Sequence, residues 1–289
     1  MVRHICAICG LILILVLASF YPFLPGSYDA LALPLSRVAQ LTGTVGLILV
    51  PLGALWLGYE IRKPQRHATS PPQAPRSRLF ALFALLLTSL LALVAALVAL
   101  ASSGPALALI TLGLWIYGVW RLRPHLQQLK HAEPEAFNPA PLYLTAIPLA
   151  VCVALLTLAA PATAFSRNYA IAQSRELIQA IEAYQQRQGD YPPSLLAVWP
   201  DYHPGLVSIS HYSYAPDGES YNLAFEQSHL FFDQLGAREF VVYNPRDTHL
   251  IPSHAAWILV RTPEEMAAQQ GWYAVEATAF PHWKSFWFD

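Results

Sequence analysis

Hydrophobic positions follow two regimes along the chain. Up to residue 164 they form long, nearly unbroken runs; beyond 165 they recur every three or four residues, and then every second residue. The runs are Ile5–Leu24, Leu41–Tyr59, Leu79–Ala101, Ala106–Leu122 and Leu142–Ala164. Each approaches or reaches the roughly 20 residues a helix needs to cross a bilayer. Aromatic residues stand near the ends, where interfacial anchors belong: Phe20, Tyr21 and Phe23, Trp56 and Tyr59, Trp115, Tyr117 and Trp120, Tyr143 and Phe165. The fourth run is the shortest. It reads as a full crossing or as half of a tight hairpin with the third, through Ser102-Ser103-Gly104-Pro105.

After Ala164 the pattern becomes amphipathic. Between Ser166 and Gln188, Ala170, Ile171, Leu177, Ile178, Ile181 and Tyr184 fall on one helical face, and Gly189 is a C-terminal stop. This helix is expected to run almost continuously out of the fifth apolar run. Ser194–Trp199 reads as a short helical turn closed by Pro200. The period then switches to two. Strands are expected at Leu206–Tyr214 and Ser220–Glu226 around the turn Ala215-Pro216-Asp217-Gly218-Glu219, then at Arg238–Tyr243, His254–Val260, Trp272–Thr278 and Trp283–Phe288. Thr262-Pro263-Glu264-Glu265 starts a helix that ends before Gly271, with a capping residue, proline at the first helical position and a glutamate behind it.

Composition places these two regimes in different surroundings. Of 289 residues, 55% are hydrophobic and only 12% charged, with a mean hydropathy of +0.38. A soluble globule carries about a quarter charged residues, so a wholly soluble or a disordered chain is excluded. Up to Ala164 there are 10 Lys/Arg and 4 Asp/Glu, or +6; from Phe165 onward there are 7 and 14, or −7. Neither part has a clustered basic face for duplex nucleic acid. Nine positive residues lie at the N-terminus and in the second and fourth connections (Arg3; Arg62, Lys63, Arg66, Arg76, Arg78; Arg121, Arg123, Lys130), while Pro25–Gln40 and Ser102–Pro105 carry only Arg37. The positive-inside rule therefore puts the N-terminus in the cytoplasm and the C-terminal part outside. No clean small-x-small site follows Leu24, so the first run is read as a retained helix. The expected molecule is a polytopic α-helical membrane protein of a bacterial inner membrane. Residues 1–164 form five transmembrane helices, and residues 165–289 an extracytoplasmic α+β domain with a long helix packed on an antiparallel sheet. Glu60–Arg78, with four prolines among basic residues, reads as an exposed flexible loop facing lipid headgroups.

The run Leu177-Ile178-Gln179-Ala180-Ile181-Glu182-Ala183-Tyr184, then Gly189-Asp190-Tyr191-Pro192-Pro193-Ser194-Leu195, then Pro200-Asp201-Tyr202, resembles the region after the membrane helix of type IV pilin-like proteins. It is nearest to the major pseudopilins of type II secretion, and the hairpin Tyr212–Phe225 is compatible with their sheet. The likeness covers residues 166–226. It implies a pilin-like domain shape and, for function, a part in secretion or cell-envelope assembly. It ends at the membrane: four other crossings precede the matching helix, and Leu142–Ala164 has neither a Gly-Phe processing site nor a helix-start glutamate.

The chemistry that the sequence offers is sparse. No Asp, Glu, Lys, Arg or His lies inside the five apolar cores, which weakens a transporter reading, since ionisable groups in lipid are costly and kept for function. Cys6 and Cys9 form a C-x-x-C at the cytoplasmic end, and residues 165–289 contain no cysteine, so no disulfide is expected. Six histidines lie outside without zinc spacing, and no metal or cofactor is expected. The best catalytic cluster is Arg246, Asp247 and His249 with His254, which a turn can bring together. The aromatic residues Trp272, Trp283 and Trp287 form the candidate binding surface, because Trp joins large burial to a polar handle. The expectation is a non-catalytic domain that engages a protein partner; the alternative is a membrane-anchored enzyme working through the His/Asp/Arg cluster, and a weaker one a transporter subunit.

Overall fold

The computed structural model describes residues 2–67, 76–131, 137–198, 203–231, 237–249, 251–252, 260–261 and 273–288. The expected helix at 262–271 and most of the expected strand at 254–260 fall outside these. The chain is mostly helical, with a C-terminal antiparallel sheet, and among the described residues five helical spans are long and apolar enough to cross a bilayer: Val2–Phe23, Ala32–Arg62, Ser77–Ala101, Pro105–Pro124 and Ala140–Gln188. It divides into two compact units. One comprises residues 1–20 and 31–158, the other 21–30 and 159–289.

In the first unit, α1 (Val2–Phe20) is followed by α2 (Ala32–Thr44), a 3-10 turn at Val45–Ile48 and α3 (Leu49–His67). The second span thus begins nine residues before its apolar run. Pro34 sits in the first turn, where its missing N–H has no helical partner to lose. The polar residues of this added stretch are satisfied within the unit: Ser36 Oγ donates to the Ser19 carbonyl at 2.5 Å, and Gln40 Nε2 donates to Ser36 Oγ at 2.8 Å. The 3-10 turn comes just before Pro51, which cannot bond to the Leu47 carbonyl and crowds it.

The helices α4 (Arg76–Ser103) and α5 (Pro105–His131) form the hairpin anticipated at Gly104, whose φ of +81° makes the corner. Near this corner Ala96, Ala99 and Ala108 are buried and let the two helices approach closely. α6 (Ala140–Gln173) lies against the α2–α3 span across glycines. A Cβ added to Gly43 would stand 2.7 Å from Val151 Cγ1 and 3.0 Å from the Cys152 backbone nitrogen. Gly43→Val is therefore expected to cost about 1–3 kcal/mol by overpacking. A lowered thermal midpoint of the detergent-solubilised protein would register it; an unchanged midpoint would mean that this approach is looser than the backbone indicates.

One expectation about this unit is corrected. Glu60 does not open a flexible loop. α3 continues through it to His67, and Glu60, only 2% exposed, accepts hydrogen bonds from Trp56 Nε1 (3.1 Å), Ser77 Oγ (3.1 Å) and the Asn138 backbone N–H (3.3 Å). A buried carboxylate ties together α3, the start of α4 and the approach to α6.

The second unit starts inside α6 and continues through α7 (Arg175–Gln188), separated only by Ser174, so the near-continuous helix is present. Gly189, at φ +88°, ends α7 and donates its N–H to the Gln185 carbonyl. Five strands follow in the sheet: β1 (Ser213–Asp217), β2 (Ser220–Gln227), β3 (Arg238–Tyr243), β6 (Tyr273–Ala277) and β7 (Trp283–Phe288), in the order β1-β2-β3-β7-β6, all antiparallel. β4 (Ile251–Pro252) and β5 (Val260–Arg261) form a separate small pair. One sheet face carries Tyr221, Leu223, Phe225, Val241 and Trp283 against Ala170, Ile171, Leu177 and Ile181 of the helices. The opposite face buries Ala224, Val242 and Phe286.

The first hairpin is shifted toward the C-terminus from its expected place. Pro216 is paired with Tyr221 inside β1, which an edge strand tolerates because its N–H faces no partner, and the turn contracts to Gly218-Glu219. Residues 206–209 instead form a tight bridge and meet the connection between α1 and α2. Leu206 pairs with Pro25; Gly26 N donates to the Gly205 carbonyl (2.9 Å), Asp29 N to Val207 O (2.9 Å), and Val207 N to Leu24 O (3.1 Å). Phe23 is buried in the same unit. The first connection thus adds a short extended segment to the C-terminal domain.

Candidate functional site

The sequence singled out the turn after β3, and the structure places three of its four residues there; His254 lies outside the described residues. Asn244, fully buried, organises the turn. Its Oδ1 accepts from the Arg246 N–H (2.9 Å), the Thr248 N–H (3.2 Å) and Ser220 Oγ (3.1 Å), while Nδ2 donates to Asn222 Oδ1 and the Thr248 carbonyl. This is the Asx-turn property of asparagine, and it throws the three candidates apart. Arg246 forms an exposed ion pair with Glu219 at 2.6 Å. Asp247 Oδ2 receives His282 Nδ1 at 3.1 Å, both side chains about half exposed. His249 points inward and is fully buried beside Phe286, with Nδ1 3.2 Å from the Asp247 carbonyl and Nε2 3.1 Å from the His282 carbonyl. Burial pushes the His249 pKa down, against the upward pull of those two carbonyls.

Asp247 and His282 both adopt positive φ, 59° and 65°, a conformation that costs a residue with a Cβ roughly 1–2 kcal/mol. The hydrogen bonds of the corner hold both. A carboxylate-oriented imidazole is what general-base catalysis uses, and the imidazole that the Asp247 carboxylate meets is that of His282, not of the neighbouring His249. His282 is 35 residues away, and only the β3–β7 pairing brings it close.

The aromatic candidates divide in the same way. Trp272 lies outside the described residues. Trp283 is buried in the core on Phe225 and Tyr243, at centroid distances of 5.9 and 5.4 Å. Trp287 is half-buried, its ring 4.6 Å from that of His229.

The most charged constellation escaped the sequence altogether. Glu239, fully buried on β3, receives Arg167 Nη2 at 2.7 and 3.0 Å, His229 Nε2 at 2.5 Å and the Ser285 hydroxyl. Burial raises its pKa, but the bonds from His229 and Ser285 and the Arg167 charge outweigh that and leave it below the ordinary carboxylate value. Gln227, Glu239 and Trp287 are neighbours in register across β2, β3 and β7, and Gln227 Nε2 donates to Ser166 Oγ. In this row Arg167 Nε, Gln227 Oε1 and Trp287 Nε1 are buried without a hydrogen-bond partner.

A second group lies around α7. Tyr221 is ringed by Tyr191, Tyr214 and Tyr243 at centroid distances of 4.9, 5.6 and 5.9 Å. The Glu182 charge and, above all, burial push these phenols up. They are acids that stay protonated and serve as packing and hydrogen-bonding groups; Tyr214 OH donates to the Pro192 carbonyl at 2.9 Å.

The chain matches no family model, no curated protein and no solved structure. Among the described residues no three His, Cys, Asp or Glu side chains are grouped to hold a metal ion. Cys6 and Cys9 are free and exposed on α1, and Cys152 is free on α6.

Proposed function

We propose that this protein is an integral membrane protein, with its N-terminus cytoplasmic, that presents an extracytoplasmic domain to a protein partner, in a secretion or cell-envelope assembly. The observation that carries the reading is the way the domain is fastened. Residues 21–30, from the connection between the first two apolar spans, fold with residues 159–289, so the chain passes between the two units three times. A fold shared by those segments requires them to lie on one side of the bilayer, the side that the distribution of Lys and Arg assigns to the exterior. Such anchoring suits a presented platform. The commitments of Arg246 to Glu219, Asp247 to His282 and His249 to two carbonyls favour scaffolding over turnover. The packing of α7 on an antiparallel sheet supports a pilin-like character for the domain.

Topology reporters fused after Arg78, Lys130 and Asp289 are expected to give cytoplasmic signals from the first two and an external signal from the last. An internal C-terminus would sink the arrangement. Crosslinking in native membranes should then trap a discrete protein partner on the C-terminal domain. Its absence, together with hydrolytic activity lost in His282→Ala, would overturn the non-catalytic reading.

A further inference from the structure

The α4–α5 hairpin carries small side chains near its corner and large ones farther along. At Gly104 the small residues Ala96, Ala99 and Ala108 bring the helices together. Farther along, the facing residues are the larger Leu85, Trp115 and Trp120. Between them lies an open, mostly apolar groove of about 320 Å³, lined by Leu85, Ser89, Trp115, Ile116, Val119 and Trp120. The Ser89 hydroxyl is spent on the Leu85 carbonyl at 2.7 Å, so the lining offers little to a polar guest.

The positions that follow along the same helical faces are cationic. Arg123 comes four residues after Val119 and three after Trp120, which stacks it one turn beyond the groove on α5. Arg78 comes seven residues before Leu85 on α4 and so lies on that helix's groove side. Both are exposed. An apolar slot ending in arginines on both walls complements a ligand with a hydrocarbon tail and an anionic head.

We propose that this groove is a binding site for an anionic glycerophospholipid, with an acyl chain along Leu85, Val119 and the two tryptophans and the phosphate held by Arg78 and Arg123. The site rests on the reading of these helices as membrane crossings, and it adds to it a preference that ordinary solvation by lipid does not have. An arginine near an anionic surface biases occupancy roughly fivefold, and Arg forks match phosphate better than Lys does.

Full-length protein in phosphatidylcholine nanodiscs, doped with acyl-brominated phosphatidylglycerol or the same amount of acyl-brominated phosphatidylcholine, provides the test. Bromine quenches nearby tryptophan. Stronger quenching by the anionic lipid is expected, and it should vanish in Trp115→Phe/Trp120→Phe, in Arg78→Gln/Arg123→Gln and in the groove-filling Val119→Phe. It should persist in Arg62→Gln/Lys63→Gln, which removes two charges elsewhere. Equal quenching by the two lipids, persistence in Val119→Phe or an equal loss in Arg62→Gln/Lys63→Gln would overturn the site while leaving the membrane reading intact. Absence of quenching by either lipid would overturn both.

Discussion

Ile181→Asp is expected to unfold the C-terminal domain while the apolar helices of the first unit stay folded. Ile181 is fully buried in the contact of α7 with the sheet, among Leu177, Leu223, Val241 and Trp283. Truncation to alanine alone should cost about 2–5 kcal/mol, the lost transfer energy plus the cavity. A carboxylate has no partner in that core, and burying it unpaired costs several kcal/mol more, against a total domain stability of about 5–15 kcal/mol. The two units bury separate clusters, so the loss should be confined to one of them. Limited proteolysis applied to the outer face of oriented vesicles should degrade residues 165–289 of the variant and spare the parent. Resistance equal to that of the parent would show that this face of α7 is not the domain's core, and the pilin-like reading would go with it.

The parts of this fold legible in the sequence are those set by local period. Apolar runs long enough for a bilayer announced five helices, the face containing Leu177 and Ile181 announced the amphipathic one, and Gly189 announced its end. Alternation located β2, β3 and β7 to within a residue or two. The parts that could not be read depend on partners far apart in the chain. Ser36 and Gln40 look too polar for a buried span until Gln40 is seen bonded to Ser36 and Ser36 to the Ser19 carbonyl. Glu60 reads as the start of a solvated loop because its donors come from Ser77 and Asn138. The segment Leu24–Asp29 carries no strand signal, for its hydrogen bonds are made to residues 205–207. At the candidate site, proximity in sequence suggested Asp247 with His249 and His254. Strand pairing instead supplied His282, and the β-turn geometry at Asn244 buried His249.

Glu239→Ala is expected to be the most damaging single change to a polar residue. The carboxylate joins Arg167 of α6, His229 after β2 and Ser285 of β7, and Arg167 lies 72 residues away in sequence. Removing it leaves Arg167 Nη2, His229 Nε2 and the Ser285 hydroxyl facing nothing, and breaking a buried ion pair from one side costs about 3–5 kcal/mol. Arg167→Leu should cost less, since the Arg167 side chain is 23% exposed and water can screen the charge left on Glu239. The dependence on pH separates charge from packing. The folded-state pKa of Glu239 is depressed, so its contribution is complete above the ordinary carboxylate pKa of about 4.3 and drains away as pH falls through the lower folded value. The stability difference between parent and Glu239→Ala, followed by proteolysis or denaturant unfolding of the C-terminal domain, should therefore be constant near neutrality and narrow progressively below pH 4. A difference that stays constant down to pH 2 would mean that Glu239 works by filling space, and that the charge bridge between α6 and the sheet contributes nothing to holding them together.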